Sequence, residues 1–166
     1  MDAAELPGAG MVTPTMTTDL ALVREIAAGV VDPEIPAASI GELGILRDVR
    51  AEGDHVVVTI TPTYSGCPAM RQIEDDLRSA LRSSGFDEIE VAMVHSPAWT
   101  TDWITPEGNR KLASVGIAPP TPIEDVLCPR CDSTSPRLAA RFGSTACKAL
   151  MVCSSCGEPF DYFKEF

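Results

Sequence analysis

Two pairs of cysteines near the carboxyl end constrain this chain more than any other sequence feature. The first C-x2-C pair is Cys128 and Cys131, the second is Cys153 and Cys156, and 21 residues separate the pairs. A separation of about 15–20 residues is usual for a four-cysteine zinc site, so the pattern lies one residue beyond that range. We therefore expect residues 128–166 to fold as a zinc ribbon around one ion.

The residues after each pair bear on the geometry of this site. Gly157 follows the second pair and suits the left-handed backbone conformation that such a turn favours, whereas Asp132 holds the matching position and tolerates it less well. Four thiolates leave no coordination position open for a substrate, so the expected role is structural. One alternative is a rubredoxin-like iron, because tetrahedral thiolates also suit iron. The other is four free cysteines without a metal.

Charge divides the chain into an acidic body and a near-neutral ribbon. The chain has 166 residues, 45% of them hydrophobic, which is enough for one compact domain and a small appendage. Residues 128–166 hold five Lys/Arg against four Asp/Glu, whereas residues 1–127 hold eight against twenty. A body this acidic argues against a nucleic-acid binder, since neutralising phosphates requires clustered Lys and Arg.

The sequence shows no pattern typical of a membrane-spanning segment or of a secretory signal. No apolar run approaches the ~20 residues that cross a bilayer, and the amino-terminal residues lack the basic and apolar regions of a secretory signal. We expect a cytoplasmic protein without membrane contact. In that compartment the six cysteines are expected to serve metal or thiol chemistry rather than disulfides.

Periodicity predicts how the body is built. Residues 1–16 read as a disordered arm rich in Gly and Pro, and Thr18 is the predicted cap of the first helix. Asp32-Pro33 is predicted to end that helix and to begin a turn-rich stretch. The predicted elements are a helix over 19–31, turns over 32–44, a hairpin of strands 45–51 and 55–61, a helix from Cys67-Pro68 to 83–85, a strand over 89–95 and a helix over 106–114.

This order of elements is typical of an α/β (α+β) fold in which helices back one face of a small mixed sheet. We assign residues 17–114 to this domain, 115–127 to a linker and 128–166 to the ribbon. The ribbon is too small for much core of its own and should need its metal to fold. Its expected core consists of Phe142, Leu150, Val152, Phe160, Tyr162 and Phe163.

Two further cysteines carry candidate chemistry. Cys67 follows Gly66 at the start of the second helix, where free N–H groups and the helix dipole favour a thiolate. It is a candidate ligand or nucleophile, and the alternative is a small buried apolar residue. Cys147 lies on a probable ribbon strand beside Lys148, and its local sequence favours burial over function.

Acidic residues and histidines complete the candidates. Asp32 and Glu34 form a compact acidic pair after the first helix, which either supports a metal or partner site or merely solvates a turn. His55 and His95 are isolated, so a surface role is expected for both rather than metal ligation.

Part of the chain resembles a known family. The first helix, DPEIP (32–36), the hairpin and TPTYSGCPA (61–69) resemble the iron–sulfur assembly domain of the eukaryotic cytosolic cluster-targeting factor and its bacterial relatives. The resemblance covers about residues 18–114. It implies that the reactive cysteine of that family corresponds to Cys67, and its acidic turn to residues 32–34.

The remaining motifs are similar to those of one subfamily, the PaaD (also called PaaJ) component of the phenylacetyl-CoA epoxidase system. They are HSPAWTTDWIT (95–105), CPRC (128–131), FGSTACKAL (142–150) and CGEPFDYFK (156–164). That system converts phenylacetyl-CoA to a ring epoxide with a di-iron oxygenase and a flavin and iron–sulfur reductase. The resemblance implies that the ribbon cysteines ligate the metal and that the other epoxidase subunits are the partners.

The predicted helices carry no ExxH carboxylate pair for di-iron, and the sequence has no dinucleotide fingerprint. We therefore expect a non-catalytic accessory subunit that handles iron or an iron–sulfur cluster, with Cys67 as a transient ligand. One thiol per body favours sharing the cargo with a client or across a homodimer. The alternatives are a thiol redox protein that pairs Cys67 with Cys147, and a zinc-ribbon adaptor that binds protein partners.

Overall fold

The computed structural model describes residues 19–53 and 55–166. The predicted arm (1–16) and the predicted cap Thr18 lie outside these residues. No helix in the described part is long and apolar enough to cross a membrane. The described helices and strands are α1 (Leu20–Ala28), β1 (Val31–Asp32), β2 (Ile35–Ser39), β3 (Leu46–Glu52), β4 (His55–Ile60), α2 (Ala69–Ser83), β5 (Ile89–Met93), α3 (Pro106–Ser114), β6 (Ile117–Ala118), β7 (Pro136–Ala140), β8 (Lys148–Cys153) and β9 (Pro159–Phe163).

The predicted helix–strand–strand–helix–strand order of the body is confirmed. β4 pairs antiparallel with β3 and parallel with β5 in a three-stranded mixed sheet. α1 contacts β3, α2 contacts β5, and the two helices contact each other. The apolar face of α2 buries Met70, Ile73, Leu77 and Leu81, as its helical periodicity predicts. The predicted helix over 106–114 corresponds to α3.

The segment after α1 differs from the prediction. The helix ends at Ala28 instead of residue 31, and the first part of the predicted turn region forms the two-stranded antiparallel pair of β1 and β2. The chain reverses because the Asp32 carboxylate accepts the N–H groups of Glu34 and Ile35, at 2.7 and 2.9 Å. These short strands show too little alternation to be recognised in the sequence.

The predicted linker (115–127) is packed against the ribbon. Its strand β6 pairs in parallel with β9, so the ribbon sheet has the order β6-β9-β8-β7. The Tyr162 hydroxyl donates to the carbonyl of Thr121 at 2.6 Å, and Val126 is buried in the ribbon core. A two-residue strand among prolines leaves no periodic signal, so the sequence pattern predicted only a linker here.

The ribbon core lies on the opposite face of β8 from the one expected. Phe142 is 68% exposed and Leu150 and Val152 are only half-buried, whereas Ala149 and Met151 are buried. Alternate residues of a strand face opposite sides, so a prediction that is off by one residue selects the wrong face. The observed core consists of Ala118, Val126, Cys128, Ala149, Met151, Cys153, Phe160 and Tyr162.

The ribbon is fastened to the body through its last strand. Phe163 is 1% exposed and belongs to the core cluster of the body, where its ring centroid lies 5.9 Å from that of Trp99. The Trp99 indole N–H in turn donates to the carbonyl of Leu43 at 3.0 Å. The Thr100 hydroxyl donates to the Phe166 carbonyl at 2.8 Å. The body and the ribbon therefore share an apolar core at their junction, in addition to the separate core of the ribbon.

This shared core predicts the effect of truncating Phe163. Phe163→Ala should lower the free energy of unfolding by about 3–5 kcal/mol, because it leaves a cavity in a packed site. Phe142→Ala is the matched control: the ring is exposed, so its loss should change the free energy by no more than about 0.5 kcal/mol. Urea unfolding followed by tryptophan fluorescence measures both, and equal effects of the two variants would contradict the shared core.

Candidate metal centre and thiol pocket

The four ribbon cysteines converge on one point. Their sulfur atoms all lie within 4.8 Å of one another. The sulfurs of Cys128 and Cys156 are 3.8 Å apart, and those of Cys131 and Cys153 are 3.7 Å apart. A tetrahedral zinc ion with Zn–S bonds of about 2.3 Å spaces its sulfurs about 3.8 Å apart. The arrangement fits a tetrahedral thiolate site, as the two C-x2-C pairs predict.

Each cysteine pair is held by the same pattern of backbone hydrogen bonds. The N–H of Asp132 donates to the carbonyl of Cys128, and the N–H of Gly157 donates to that of Cys153, both at 2.9 Å. Asp132 and Gly157 have positive φ angles of 56° and 78°. The predicted left-handed turns are therefore present, and at Asp132 a non-glycine residue adopts this disfavoured conformation.

The metal centre is suited to stability rather than catalysis. Cys128 and Cys153 are buried in the ribbon core, while Cys131 and Cys156 lie at its surface. All four ligand positions of a tetrahedral ion are supplied by the chain, so none remains for a substrate. The first cysteine pair lies in the turn before β7, and the second pair lies at the end of β8. An ion bound by both pairs would therefore link these two neighbouring strands.

Removal of the ribbon ion should unfold the ribbon, because a core of eight residues does not offset the entropy of ordering this segment. Amide hydrogen exchange before and after strong chelation should show loss of protection in β7, β8 and β9. The sheet formed by β3, β4 and β5 should stay protected. Unchanged protection in the ribbon after confirmed metal loss would contradict this role.

A second site lies between the body and the ribbon. Four residues singled out in the sequence, Asp32, Glu34, Cys67 and Cys147, line a single pocket there. Its cavity volume of about 20 Å³ is room for about one water molecule. The other lining residues are Ile35, Leu43, Thr63, Tyr64, Pro68, Thr145 and Phe163.

The acidic side of the pocket is the reversal between β1 and β2. Asp32 is buried there, held by the two N–H donors that turn the chain. Burial raises the pKa of the Asp32 carboxyl above its ordinary value, although the N–H groups of Glu34 and Ile35 oppose this. Asp32 therefore both holds the turn between β1 and β2 and lines the pocket.

Cys67 lies in the turn that leads into α2, where its N–H donates to the carbonyl of Tyr64 at 3.1 Å. Burial raises the pKa of the Cys67 thiol, and this outweighs the Ala69 N–H and the Thr63 hydroxyl, which favour the thiolate. The expectation of an acidic thiol at the helix start is therefore wrong. The predicted N–H donor is present, but the cost of burying the charge is larger.

Cys147 is the residue just before β8, and it is 7% exposed. Its sulfur lies 3.0 Å from the Thr145 hydroxyl oxygen, and burial raises the pKa of its thiol. The neighbouring Lys148 is buried as well, with its ammonium nitrogen 3.4 Å from an Asp161 carboxylate oxygen. The sequence favours burial of Cys147, and it offered a pairing with Cys67 only as an alternative; in the structure both thiols line the same pocket.

The remaining candidates stay away from both sites. His55 lies at the surface, where its Nε2 atom is 3.6 Å from a Glu90 carboxylate oxygen, and His95 is exposed. Surface roles for both histidines agree with the sequence analysis. Sequence reasoning did not place Thr145 and Phe163 at this pocket, because these two residues reach it only through the docking of the ribbon.

The raised pKa values predict slow alkylation of both pocket thiols. Since only the thiolate reacts, the rates at pH 7 should be below that of an ordinary thiol, whose pKa is about 8.5, and should continue to rise with pH beyond the point at which an ordinary thiol levels off. Cys67 should react before Cys147, because it is the more exposed of the two. Mass-spectrometric labelling of the metal-loaded protein across pH tests this. Rapid labelling of Cys67 at pH 7, or earlier labelling of Cys147, would contradict it.

Known proteins resemble both parts of the chain. Residues 117–164 match the family described as PaaD zinc beta ribbon domain, and residues 20–93 match the family described as iron-sulfur cluster assembly protein. A protein of Escherichia coli (strain K12), named as the putative D component of 1,2-phenylacetyl-CoA epoxidase, is 47% identical over 140 residues. This match covers 80% of the present chain and 85% of that protein.

The body has further relatives. A protein of Porphyromonas gingivalis named "Fe-S protein maturation auxiliary factor" is 33% identical over 100 residues, which is 58% of this chain and 92% of that protein. The crystal structure of a domain of unknown function from Bacillus anthracis aligns with a TM-score of 0.52 and 30% identity. The aligned residues cover 56% of this chain and 90% of the Bacillus anthracis chain. These matches and the element order agree with the predicted α+β fold of iron–sulfur assembly type.

Proposed function

Because this chain belongs to the PaaD family, we propose that it is an accessory subunit of a phenylacetyl-CoA epoxidase system and prepares the metal centres of its partner subunits. The partners would be the oxygenase and reductase subunits, which contain the iron and iron–sulfur centres. The cargo, iron or an iron–sulfur unit, would bind transiently at Cys67 and then pass to the client.

The pocket at Cys67 is the observation that carries this proposal. It places a thiol beside the buried carboxyl of Asp32 at the junction of the two parts of the chain. A soft thiolate binds iron well, and Glu34 on the same pocket adds negative charge that attracts a cation. The name of the Porphyromonas gingivalis relative, a maturation auxiliary factor, supports the same role for the body.

The size of the pocket supports an accessory role. A cavity of about 20 Å³ accepts a single small species, whereas a coenzyme A thioester would require a cleft of a few hundred Å³. The thiol pocket is therefore suited to handling a metal rather than to binding the organic substrate of the epoxidase.

The ribbon ion is proposed to be zinc in a structural role. The sulfur spacings suit tetrahedral coordination, and the matched ribbon family is named for zinc. Zinc undergoes no redox change, so it would hold the ribbon in place whatever the oxidation state of the cargo.

A protein-binding adaptor is the second candidate function, and an exposed apolar patch favours it. Ile123 of the linker and Leu138 and Phe142 of the ribbon are 53%, 42% and 68% exposed and line one surface pocket with Arg141 and Lys164. The ammonium nitrogen of Lys164 lies 4.7 Å from the centroid of the Phe142 ring. A patch of this kind, rimmed by cations, is suited to docking a client with an apolar and acidic surface. Docking by the ribbon and metal handling by the body are compatible in one protein.

The variant Cys67→Ser tests the proposed delivery. It keeps the side chain nearly the same size but replaces a soft ligand with a poor one, so the fold should survive while transfer fails. Cells that depend on this variant should lose growth on phenylacetate, and the oxygenase or reductase isolated from them should be short of iron. Ser65→Ala is the matched control, since it changes an exposed side chain of the same loop and keeps the thiol.

Two outcomes separate the candidates. Growth at the wild-type rate with fully metallated partners would refute delivery through Cys67. A growth defect with fully metallated partners would refute delivery as well and would favour the adaptor, with Cys67 shaping the interface. The zinc content and thermal unfolding of each purified variant show that any defect is not a loss of fold.

A further inference from the structure

We propose that Cys147 is the second thiol ligand of the Cys67 pocket and that together they bind one divalent transition-metal ion such as Fe²⁺. This inference rests on the proposed function, because it takes the pocket to be the cargo site. The cargo site is then composite, meaning that two parts of the chain supply its ligands. One ligand comes from the body and the other from the ribbon, so the site exists only when the ribbon is docked.

The position of Cys147 in the fold supports this assignment. The residue belongs to the ribbon by sequence, yet it packs in the core cluster of the body and is absent from the ribbon core. Both Cys147 and Cys67 line the same cavity. A cysteine that served only to fill the ribbon would pack among the ribbon residues.

Several contacts hold Cys147 in this place. Its carbonyl accepts the N–H of Lys164 at 3.0 Å, which ties the start of β8 to the end of β9. Phe163, the last residue of β9, lines the pocket and is buried in the body core. The strand that begins after Cys147 ends at Cys153, a cysteine of the metal centre. The ribbon ion thus fixes the strand that presents the second thiol.

The cavity selects the kind of cargo. Its volume of about 20 Å³ suits one ion, whereas a cluster of several iron and sulfide atoms would require a much larger space. When two S–metal bonds form, the two thiol protons leave to solvent and no electron is transferred. Cargo that arrives as single ions would suit assembly of a di-iron centre, or of a cluster whose sulfide comes from elsewhere.

The site is built for release as well as binding. Within residues 19–53 and 55–166, the ribbon cysteines are the one group of three or more metal-ligating side chains whose ligand atoms all lie within 4.8 Å. Two pocket thiols therefore leave coordination positions for water or for the ligands of a client. Such an incomplete ligand set favours transfer, because a client that supplies more ligands binds the ion more tightly.

Cobalt titration tests the composite site in the full chain. Zinc-loaded, reduced protein is titrated with Co²⁺ without oxygen, and the thiolate-to-cobalt charge-transfer absorption is recorded. The variants are Cys147→Ser, Cys147→Ala, Cys67→Ser and the control Ser144→Ala, which changes an exposed neighbour and keeps both thiols. Zinc analysis confirms that cobalt has not entered the ribbon site.

Wild type and Ser144→Ala should each bind one Co²⁺ beyond the zinc. The Cys147 variants should lose about half of the charge-transfer intensity per bound ion and bind at least about tenfold more weakly. Wild-type binding by both Cys147 variants, with loss in Cys67→Ser, would overturn the second ligand and leave the proposed function standing. Absence of cobalt binding by wild type, or wild-type binding by Cys67→Ser, would overturn both.

Discussion

The packing of Phe163 against Trp99 is the contact on which the rest of the structure depends, because it joins the ribbon to the body. The four thiolates close the ribbon and thereby set the position of β9, whose last residue is Phe163. Through the same arrangement Cys147 reaches the pocket of the body. We infer that an ion held at one end of the ribbon would fix the position of Cys147 at the other end.

The pocket combines groups that are costly to bury. Burial raises the pKa of both thiols and of the Asp32 carboxyl, because it penalises the charged form of each group. A metal ion would compensate for that cost by replacing the protons with positive charge. A pocket that disfavours isolated thiolates and carboxylates can therefore still bind a cation, because the cation offsets their negative charge. The raised thiol pKa also distinguishes the pocket from a nucleophilic thiol site, which needs a low thiol pKa.

The sequence predicted the features that local chemistry determines. The metal centre follows from two C-x2-C pairs, and the α2 and hairpin elements follow from periodicity and turn residues. The strands β1, β2 and β6 were not predictable, because they are too short for periodicity and are defined by partners elsewhere in the chain. For Cys67 the sequence offered both the helix effect and burial but could not weigh one against the other, because Cys147 and Phe163, which line the same pocket, follow much later in the chain. Tertiary contacts decided each of these cases.

We infer that the junction of body and ribbon holds one iron ion between Cys67 and Cys147. Iron-edge X-ray absorption on zinc-loaded protein, given one equivalent of Fe²⁺ without oxygen, tests it most directly. We expect two sulfur atoms and several lighter atoms in the first coordination shell of the iron, with no iron–iron scattering. An iron–iron distance typical of a cluster, or a first shell with no sulfur, would contradict it.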